Sequence, residues 1–142
     1  MPMKRCIAAT AAVIGILFAS DFLIHGILMK GAYEATAALW RPMEDMNRLM
    51  WTMWVMYLVN GLVLPYMYAK GYEPGKSSLG QGLRFGLAIG LLMATGMSLG
   101  TYFMIPLPAS MAATWFVVGM VQFLAVGAAI GLIHPKNNTR QP

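Results

Sequence analysis

Residues 6–29 read CIAATAAVIGILFASDFLIHGILM, and this stretch decides the fold class. A helix needs roughly 20 apolar residues to cross about 30 Å of hydrocarbon, and this run is long enough. Three further apolar stretches of similar length follow, at residues 50–69, 85–105 and 109–133. Backbone polar groups in lipid must be satisfied internally, and runs this long and evenly apolar do not suit barrel strands. The sequence therefore predicts an all-α integral membrane protein.

Composition supports this prediction. The 142 residues are 58% hydrophobic and only 11% charged, whereas a soluble domain carries about 25% charged residues. Little chain is left outside the apolar stretches for a soluble domain. We predict a single transmembrane domain over residues 1–142, folded as a four-transmembrane-helix bundle. Its helices are expected at about residues 6–29, 42–69, 83–105 and 109–133, with a short interfacial helix at residues 32–40 in the first loop.

The net charge of +5 does not indicate a nucleic-acid partner, because the basic residues are scattered at the ends of the apolar stretches and form no stripe. Their distribution instead predicts the orientation of the chain in the membrane. Seven fall at the N-terminus, in the second loop and at the C-terminus: Lys4, Arg5, Lys70, Lys76, Arg84, Lys136 and Arg140. The first loop has three: Lys30, Arg41 and Arg48. By the positive-inside rule, both termini are expected in the cytoplasm.

Aromatic residues suggest the same orientation, since tryptophan and tyrosine gather at membrane interfaces. The tryptophans are expected near the outer surface: Trp40, Trp51, Trp54 and Trp115. Three tyrosines are expected near the inner one: Tyr66, Tyr68 and Tyr72. The N-terminus resembles a signal peptide, but Leu17 or Phe18 would occupy the minus-three position of a cleavage site, so we expect it to be retained.

Two ionisable residues, Asp21 and His25, interrupt the first apolar stretch one helical turn apart. A charge near the bilayer centre costs from about 2.5 to more than 10 kcal/mol, so such residues face a bundle interior, pair with each other or line a pathway. Asn60 and Gln122 fall at a similar depth on other helices. These four residues form the predicted intramembrane polar site.

Two interpretations of this polar site stay open. The four side chains either fasten the helices by hydrogen bonds or bind and relay a proton or small cation. Parts of the first loop are expected to cover the site as a lid, through Tyr33, Glu34, Trp40 and Arg41. The lipid bilayer is the expected partner.

Small residues recur on the last two helices, which supports an alternative function as an accessory subunit or homo-oligomer. The predicted packing positions are Gly86, Gly90, Gly96, Gly100, Gly127 and Gly131. Glycines at four-residue spacing let helix backbones approach closely in lipid. They serve either the packing of the two helices within one chain or an interface with a second protein.

The methionines support a third possible function, that of a Cu(I)-handling protein. Met46, Met50 and Met53 lie at helical spacing near the outer end of the second helix, and thioethers suit Cu(I), with His25 as a further ligand. Packing is the plainer explanation of such a stripe. Haem is not expected, because His25 falls near the outer surface and His134 at the cytoplasmic surface, so the two cannot ligate one iron.

No pattern typical of an enzyme is present, neither a Ser/His/Asp triad nor paired catalytic carboxylates nor Cys/His zinc spacing. We therefore expect no catalytic residues.

The run from Asp21 through Ile24, His25 and Gly26, continued by YEATA at residues 33–37 and LWRP at residues 39–42, resembles a group of small uncharacterised bacterial inner-membrane proteins with four helices. The resemblance spans nearly the whole chain. It implies the four-helix architecture and a location in the bacterial inner membrane, and it carries no activity.

Overall fold

The computed structural model describes residues 3–134, and every regular element in that range is helical. The α-helices are α1 (Met3–Asp21), α2 (Lys30–Ala35), α3 (Met43–Arg48), α4 (Met50–Lys70), α5 (Ser78–Met104) and α6 (Ala109–Ile133). A π-helix, Phe22–Leu28, continues α1, and a 3-10 turn, Ala37–Leu39, follows α2. The predicted all-helical fold is confirmed for this part of the chain.

Three helical segments within residues 3–134 are long and apolar enough to cross a membrane: Met3–Leu28, Ser78–Met104 and Ala109–Ile133. Their surfaces carry large apolar side chains; Phe103 is 90% exposed and Leu132 is 70% exposed. Such a surface suits lipid, so the structure supports a membrane protein. Helix α4 has 21 residues but is less apolar, because tryptophan, tyrosine and Asn60 lower its mean hydropathy.

The helices form a bundle in which α1 packs against both α4 and α6, and α5 packs against α6. All of α1, α4 and α6 contribute buried side chains to one core: Val13, Leu17, Tyr57, Leu64, Tyr68, Phe123, Val126 and Ile130. Residues 29–49 and the turn at 105–108 lie at one end, which we name the loop end. The connection at residues 71–77 lies at the opposite end, which we name the terminal end.

Helices α5 and α6 approach so closely that glycine is required at their contact. A Cβ atom on Gly127 would lie 2.2 Å from the carbonyl oxygen of Gly82 and 2.7 Å from Cα of Gly86. One on Gly131 would lie 2.5 Å from the carbonyl oxygen of Ser78. These distances are far inside van der Waals contact, so backbone packs directly on backbone, as in small-residue helix pairs in membranes.

Four of the six predicted packing glycines pack within one chain. Gly86, Gly127 and Gly131 are buried in the α5–α6 contact of a single chain and are not available to a partner. Gly90 also faces inward, since its Cβ would lie 3.2 Å from the Met120 sulfur. Within the predicted glycine set, Gly96 and Gly100 alone would meet no atom within 4 Å.

Helix bounds differ from prediction at three places. The predicted helix at 42–69 is broken at Leu49, where α3 ends and α4 begins. Helix α5 begins at Ser78 instead of residue 83, because the Ser77 side chain caps it by accepting a hydrogen bond from the Gly80 amide. The first helix is not α-helical to its end, since it becomes a π-helix after Asp21.

Two of the aromatic residues used to predict the membrane orientation are buried inside the bundle. Tyr68 is 3% exposed and Trp115 is 7% exposed, so both belong to the interior. Trp51 and Trp54 are exposed near the loop end, as an interfacial position requires. Lys136 and Arg140, which enter the orientation argument, lie outside the described residues.

Candidate functional site around Asp21 and His25

Asp21 joins three helices through its two carboxylate oxygens. Gln122 on α6 donates a hydrogen bond from Nε2 to Oδ1 of Asp21, at 2.7 Å. Tyr57 on α4 donates from its hydroxyl to Oδ2, at 3.0 Å. Because Asp21 is the last residue of α1, this one side chain connects α1 to both helices that pack against it.

Ser20 extends the network to the backbone of α1. The Nε2 atom of Gln122 lies 2.7 Å from the Ser20 hydroxyl oxygen, so its two hydrogens go to Ser20 and Asp21. The hydroxyl of Ser20 donates in turn to the carbonyl oxygen of Ile16, at 2.6 Å. The amide orientation is assigned from this hydrogen-bond pattern, in which every donor has an acceptor.

The pattern around Asp21 suits a carboxylate. Both of its oxygens accept, and each donor, the Gln122 amide and the Tyr57 hydroxyl, is neutral. No ion pair within residues 3–134 includes Asp21. The negative charge is therefore hydrogen-bonded but has no lysine or arginine in contact, an expensive arrangement in a low-dielectric environment.

His25 lies in the π-helix that begins directly after Asp21. The π-helix is closed by a hydrogen bond from the Met29 amide to the Ile24 carbonyl oxygen, five residues back, at 2.8 Å. π-Helical turns are rare and frequently lie at functional sites. His25 follows Asp21 by four residues, about one helical turn.

The His25 ring packs against two aromatic residues, Tyr33 on α2 and Trp115 on α6. Its Nδ1 atom lies 2.6 Å from the hydroxyl oxygen of Tyr33, and the Trp115 indole N–H donates to the same oxygen at 3.0 Å. Because Trp115 occupies one lone pair, Tyr33 either donates its proton to a neutral Nδ1 or accepts the proton of a protonated one. The contact thus exists in two protonation states without a change of partners.

Burial raises the pKa of the Tyr33 hydroxyl above its usual value. The hydrogen bond from Trp115 opposes this shift, and the negative charge of Asp21 adds to it. Tyr33 is therefore neutral near pH 7, and its proton is available for the hydrogen bond with His25.

Of the four predicted lid residues, Tyr33 contacts His25 and Trp40 packs against Tyr33. The rings of Tyr33 and Trp40 lie 5.3 Å apart, and Trp40 lies 5.9 Å from Trp115. The indole N–H of Trp40 donates to the Thr36 hydroxyl at 2.9 Å, which fixes the ring over the loop. The two charged lid residues take no part: Glu34 forms an exposed ion pair with Lys30, and Arg41 is exposed.

Asn60 does not join the predicted polar site. Its side-chain amide donates to the carbonyl oxygen of Met56 on its own helix, at 2.9 Å. Tyr57 takes the place on α4 that Asn60 was expected to fill. A helical stripe of buried residues on α4, Tyr57, Gly61, Leu64 and Tyr68, identifies the inward face and leaves Asn60 off it.

The proposed methionine ligands and His25 have different surroundings in the structure. Met46, Met50 and Met53 are exposed, at 37%, 50% and 37%. His25 packs its ring against Tyr33 and Trp115 instead. Within residues 3–134, His, Cys, Asp and Glu side chains form no group of three that could hold a metal ion.

His134 lies at the terminal end, far from His25 along the bundle. Its ring packs against Tyr72 and Tyr68, with ring centroids 4.5 and 5.4 Å away. Two histidines at opposite ends of the bundle cannot ligate one haem iron.

Comparison with known proteins adds no relative to this description, since no protein-family model, no curated protein and no solved structure matches the chain.

Proposed function

We propose that this chain is a non-enzymatic membrane protein that binds and relays a proton or small cation at Asp21 and His25. The observation that supports this proposal is the environment of the Asp21 carboxylate. This carboxylate connects three helices, accepts two hydrogen bonds and, within residues 3–134, has no basic residue in ion-pair contact. Such a group gains from any small positive charge that reaches it, because the interior does not solvate its own charge.

His25 gives this site a connection to the loop end. It follows Asp21 by one helical turn, and its Nδ1 shares a hydrogen bond with Tyr33 in the covering loop. Imidazole changes protonation near neutral pH more readily than any other unperturbed side chain. In this proposal a proton passes between the loop end and Asp21 through His25, while Tyr33 and Trp40 limit access of water.

The membrane arrangement forms part of the proposal. We place α4 as a fourth crossing, residues 30–39 at the interface, and both termini in the cytoplasm of a bacterium, with the bundle in the inner membrane. Support comes from the distribution of basic residues and from the sequence resemblance around residues 21–42. Helix α4 has 21 residues, enough for about 30 Å of helix.

Proton flux into liposomes tests the proposal. The purified chain is reconstituted with a pH-sensitive dye inside, and a potassium diffusion potential drives uptake. We expect flux from the wild-type protein and its loss in Asp21→Asn. Asp45→Asn is the matched control, because Asp45 is exposed in α3 and the substitution changes the same charge. Equal flux in wild type and Asp21→Asn contradicts the proposal; a repeat with sodium or potassium distinguishes a cation from a proton.

A homo-oligomer is a second candidate function, and one observation favours it. Gly96 and Gly100 are exposed on α5, and a Cβ atom at either position would meet nothing within 4 Å. Their spacing suits a close helix contact with a second copy. In Gly96→Leu/Gly100→Leu, we expect such a complex to dissociate on native gels; unchanged migration argues against it.

A further inference from the structure

A cleft at the terminal end, separate from the Asp21 site, lies between α4 and α5. Its volume is about 230 Å³. The apolar part of its lining comes from Met67 and Tyr68 on α4 and Phe85 on α5, and the polar part from Glu73, Gln81 and Arg84. The cleft therefore has an apolar wall along the helices and a polar rim at the connection.

The rim is held in place by hydrogen bonds that are buried or partly buried. Gln81 is 6% exposed, and its side-chain oxygen accepts from the Glu73 amide at 2.8 Å while its Nε2 donates to the Glu73 carbonyl at 3.0 Å. Tyr68 donates to the Ser78 carbonyl at 2.8 Å. These bonds fix the connection against both helices, so the cleft exists before any ligand arrives.

Positive charge exceeds negative charge at this rim. Glu73 pairs with Lys76 and has Arg84 at 3.9 Å, so one carboxylate faces two cations. The Lys76 ammonium holds the pKa of Glu73 below its usual value, which keeps that ion pair formed near pH 7. Arg84 remains 65% exposed, so its guanidinium can donate hydrogen bonds to a further anion.

We propose that this cleft binds the headgroup of an anionic phospholipid, with one acyl chain against Met67 and Phe85. Basic pockets between transmembrane helices bind anionic headgroups in this way. Arg84 suits a phosphate because its planar fork donates two parallel hydrogen bonds. Arg84 directly precedes the apolar stretch at residues 85–105, so this proposal places its guanidinium at the headgroups and Phe85 beside the acyl chain.

Lipid titration of the full chain in detergent tests this proposal. The readout is the thermal unfolding midpoint together with lipid occupancy by native mass spectrometry. Phosphatidylglycerol, phosphatidylcholine with the same acyl chains, and free glycerol phosphate are compared. We expect tight binding of phosphatidylglycerol alone, and roughly fivefold weaker binding in Arg84→Gln, as for the loss of one basic residue.

Arg48→Gln is the matched control, because Arg48 is exposed in α3 and pairs with Glu44 at the opposite end of the bundle. It should bind like wild type. Met67→Trp keeps every charge but fills the cleft, and it should also weaken binding. Equal binding of phosphatidylcholine, equal effects of Arg84→Gln and Arg48→Gln, or binding of glycerol phosphate as strong as that of the lipid overturns the proposal.

Discussion

Gln122 donates a 2.7 Å hydrogen bond to Asp21 and so connects residues that are 101 positions apart in sequence. The same amide nitrogen donates to Ser20. The first and last helices of the bundle are therefore held together at the carboxylate that we propose takes up a proton or cation. If Asp21 takes up a proton or cation as proposed, substitutions around this contact are expected to affect both stability and function.

Gln122→Leu removes both of these hydrogen bonds and leaves the Asp21 carboxylate short of a donor. We expect a loss of about 1–3 kcal/mol in the free energy of unfolding, because a half-buried charged group left short of a donor costs more than an ordinary hydrogen bond contributes. Denaturation in detergent followed by circular dichroism measures this loss. Asn60→Leu is the control, since its amide bonds only its own helix, and it should change stability by no more than about 0.5 kcal/mol. Equal effects of the two substitutions count against the assigned contact.

Tyr57→Phe keeps the ring against Phe18 and Trp54 but removes the hydroxyl donor to Asp21. A hydrogen bond to a charged group contributes more to stability than one between neutral groups, so its loss should be measurable. We expect a loss of about 1–2 kcal/mol in the free energy of unfolding. Tyr66→Phe, at a 63% exposed position on the same helix, should change stability by no more than about 0.5 kcal/mol. Equal stability of the two variants refutes this role for Tyr57.

Gly127→Ala tests the close contact of α5 with α6. Its new Cβ would collide with the carbonyl oxygen of Gly82, so the two helices must separate. We expect a loss of about 1–3 kcal/mol or failure to fold. Gly96→Ala meets no atom within 4 Å and should be neutral or stabilise by up to about 1 kcal/mol, since alanine favours helix over glycine. Equal unfolding midpoints for the two variants contradict the packing described.

Tyr33→Phe should loosen the covering loop. The change removes the hydroxyl that contacts His25 and accepts from Trp115. Loss of about 1 kcal/mol of local stability makes amide exchange roughly fivefold faster over residues 29–40. Hydrogen exchange with mass spectrometry measures this rate. Tyr102→Phe, at a 48% exposed position on α5, is the control and should exchange like wild type; the idea fails if the loop exchanges equally in all three proteins.

The raised pKa of Tyr33 predicts that its contribution to stability depends on pH. Burial raises the pKa of Tyr33 in the folded protein above its value of about 10 in the unfolded chain. The folded state therefore holds the proton more tightly, so the contribution of Tyr33 is complete below about pH 10 and is lost as pH rises through the folded pKa. We expect the difference in unfolding midpoint between wild type and Tyr33→Phe to shrink above about pH 10. A difference that stays constant argues against this contribution.

Some features of this fold are predictable from sequence because they depend on local chemistry. Helix α6 begins and ends where predicted, since Pro106 and Pro108 stop the preceding helix and position the start of the next. The start of α5 is harder to predict, because glycine and serine at residues 75–80 are typical of a loop. A capping serine at residue 77 and packing of Gly82 against α6 stabilise helix there instead.

The candidate site is predictable only in part. Apolar surroundings identify Asp21 and His25 in the sequence, but the partner of each depends on helix rotation, which an evenly apolar helix does not reveal. Tyr57 takes the place expected for Asn60 because the α4 face that meets α1 carries Gly61, where a side chain would collide with Ile14. The π-helix at residues 22–28 has no signal in the sequence, since its extra residue depends on the tertiary contacts of the covering loop.

Infrared difference spectroscopy of the protein in lipid tests the central claim most directly, because it observes the carboxyl group of Asp21 itself. Spectra are recorded with and without an imposed proton gradient. We predict a difference band of a protonated carboxylic acid that is present in wild type and in Asp45→Asn and is missing from Asp21→Asn. A spectrum of Asp21→Asn identical to that of wild type would show that Asp21 exchanges no proton and would contradict the proton relay.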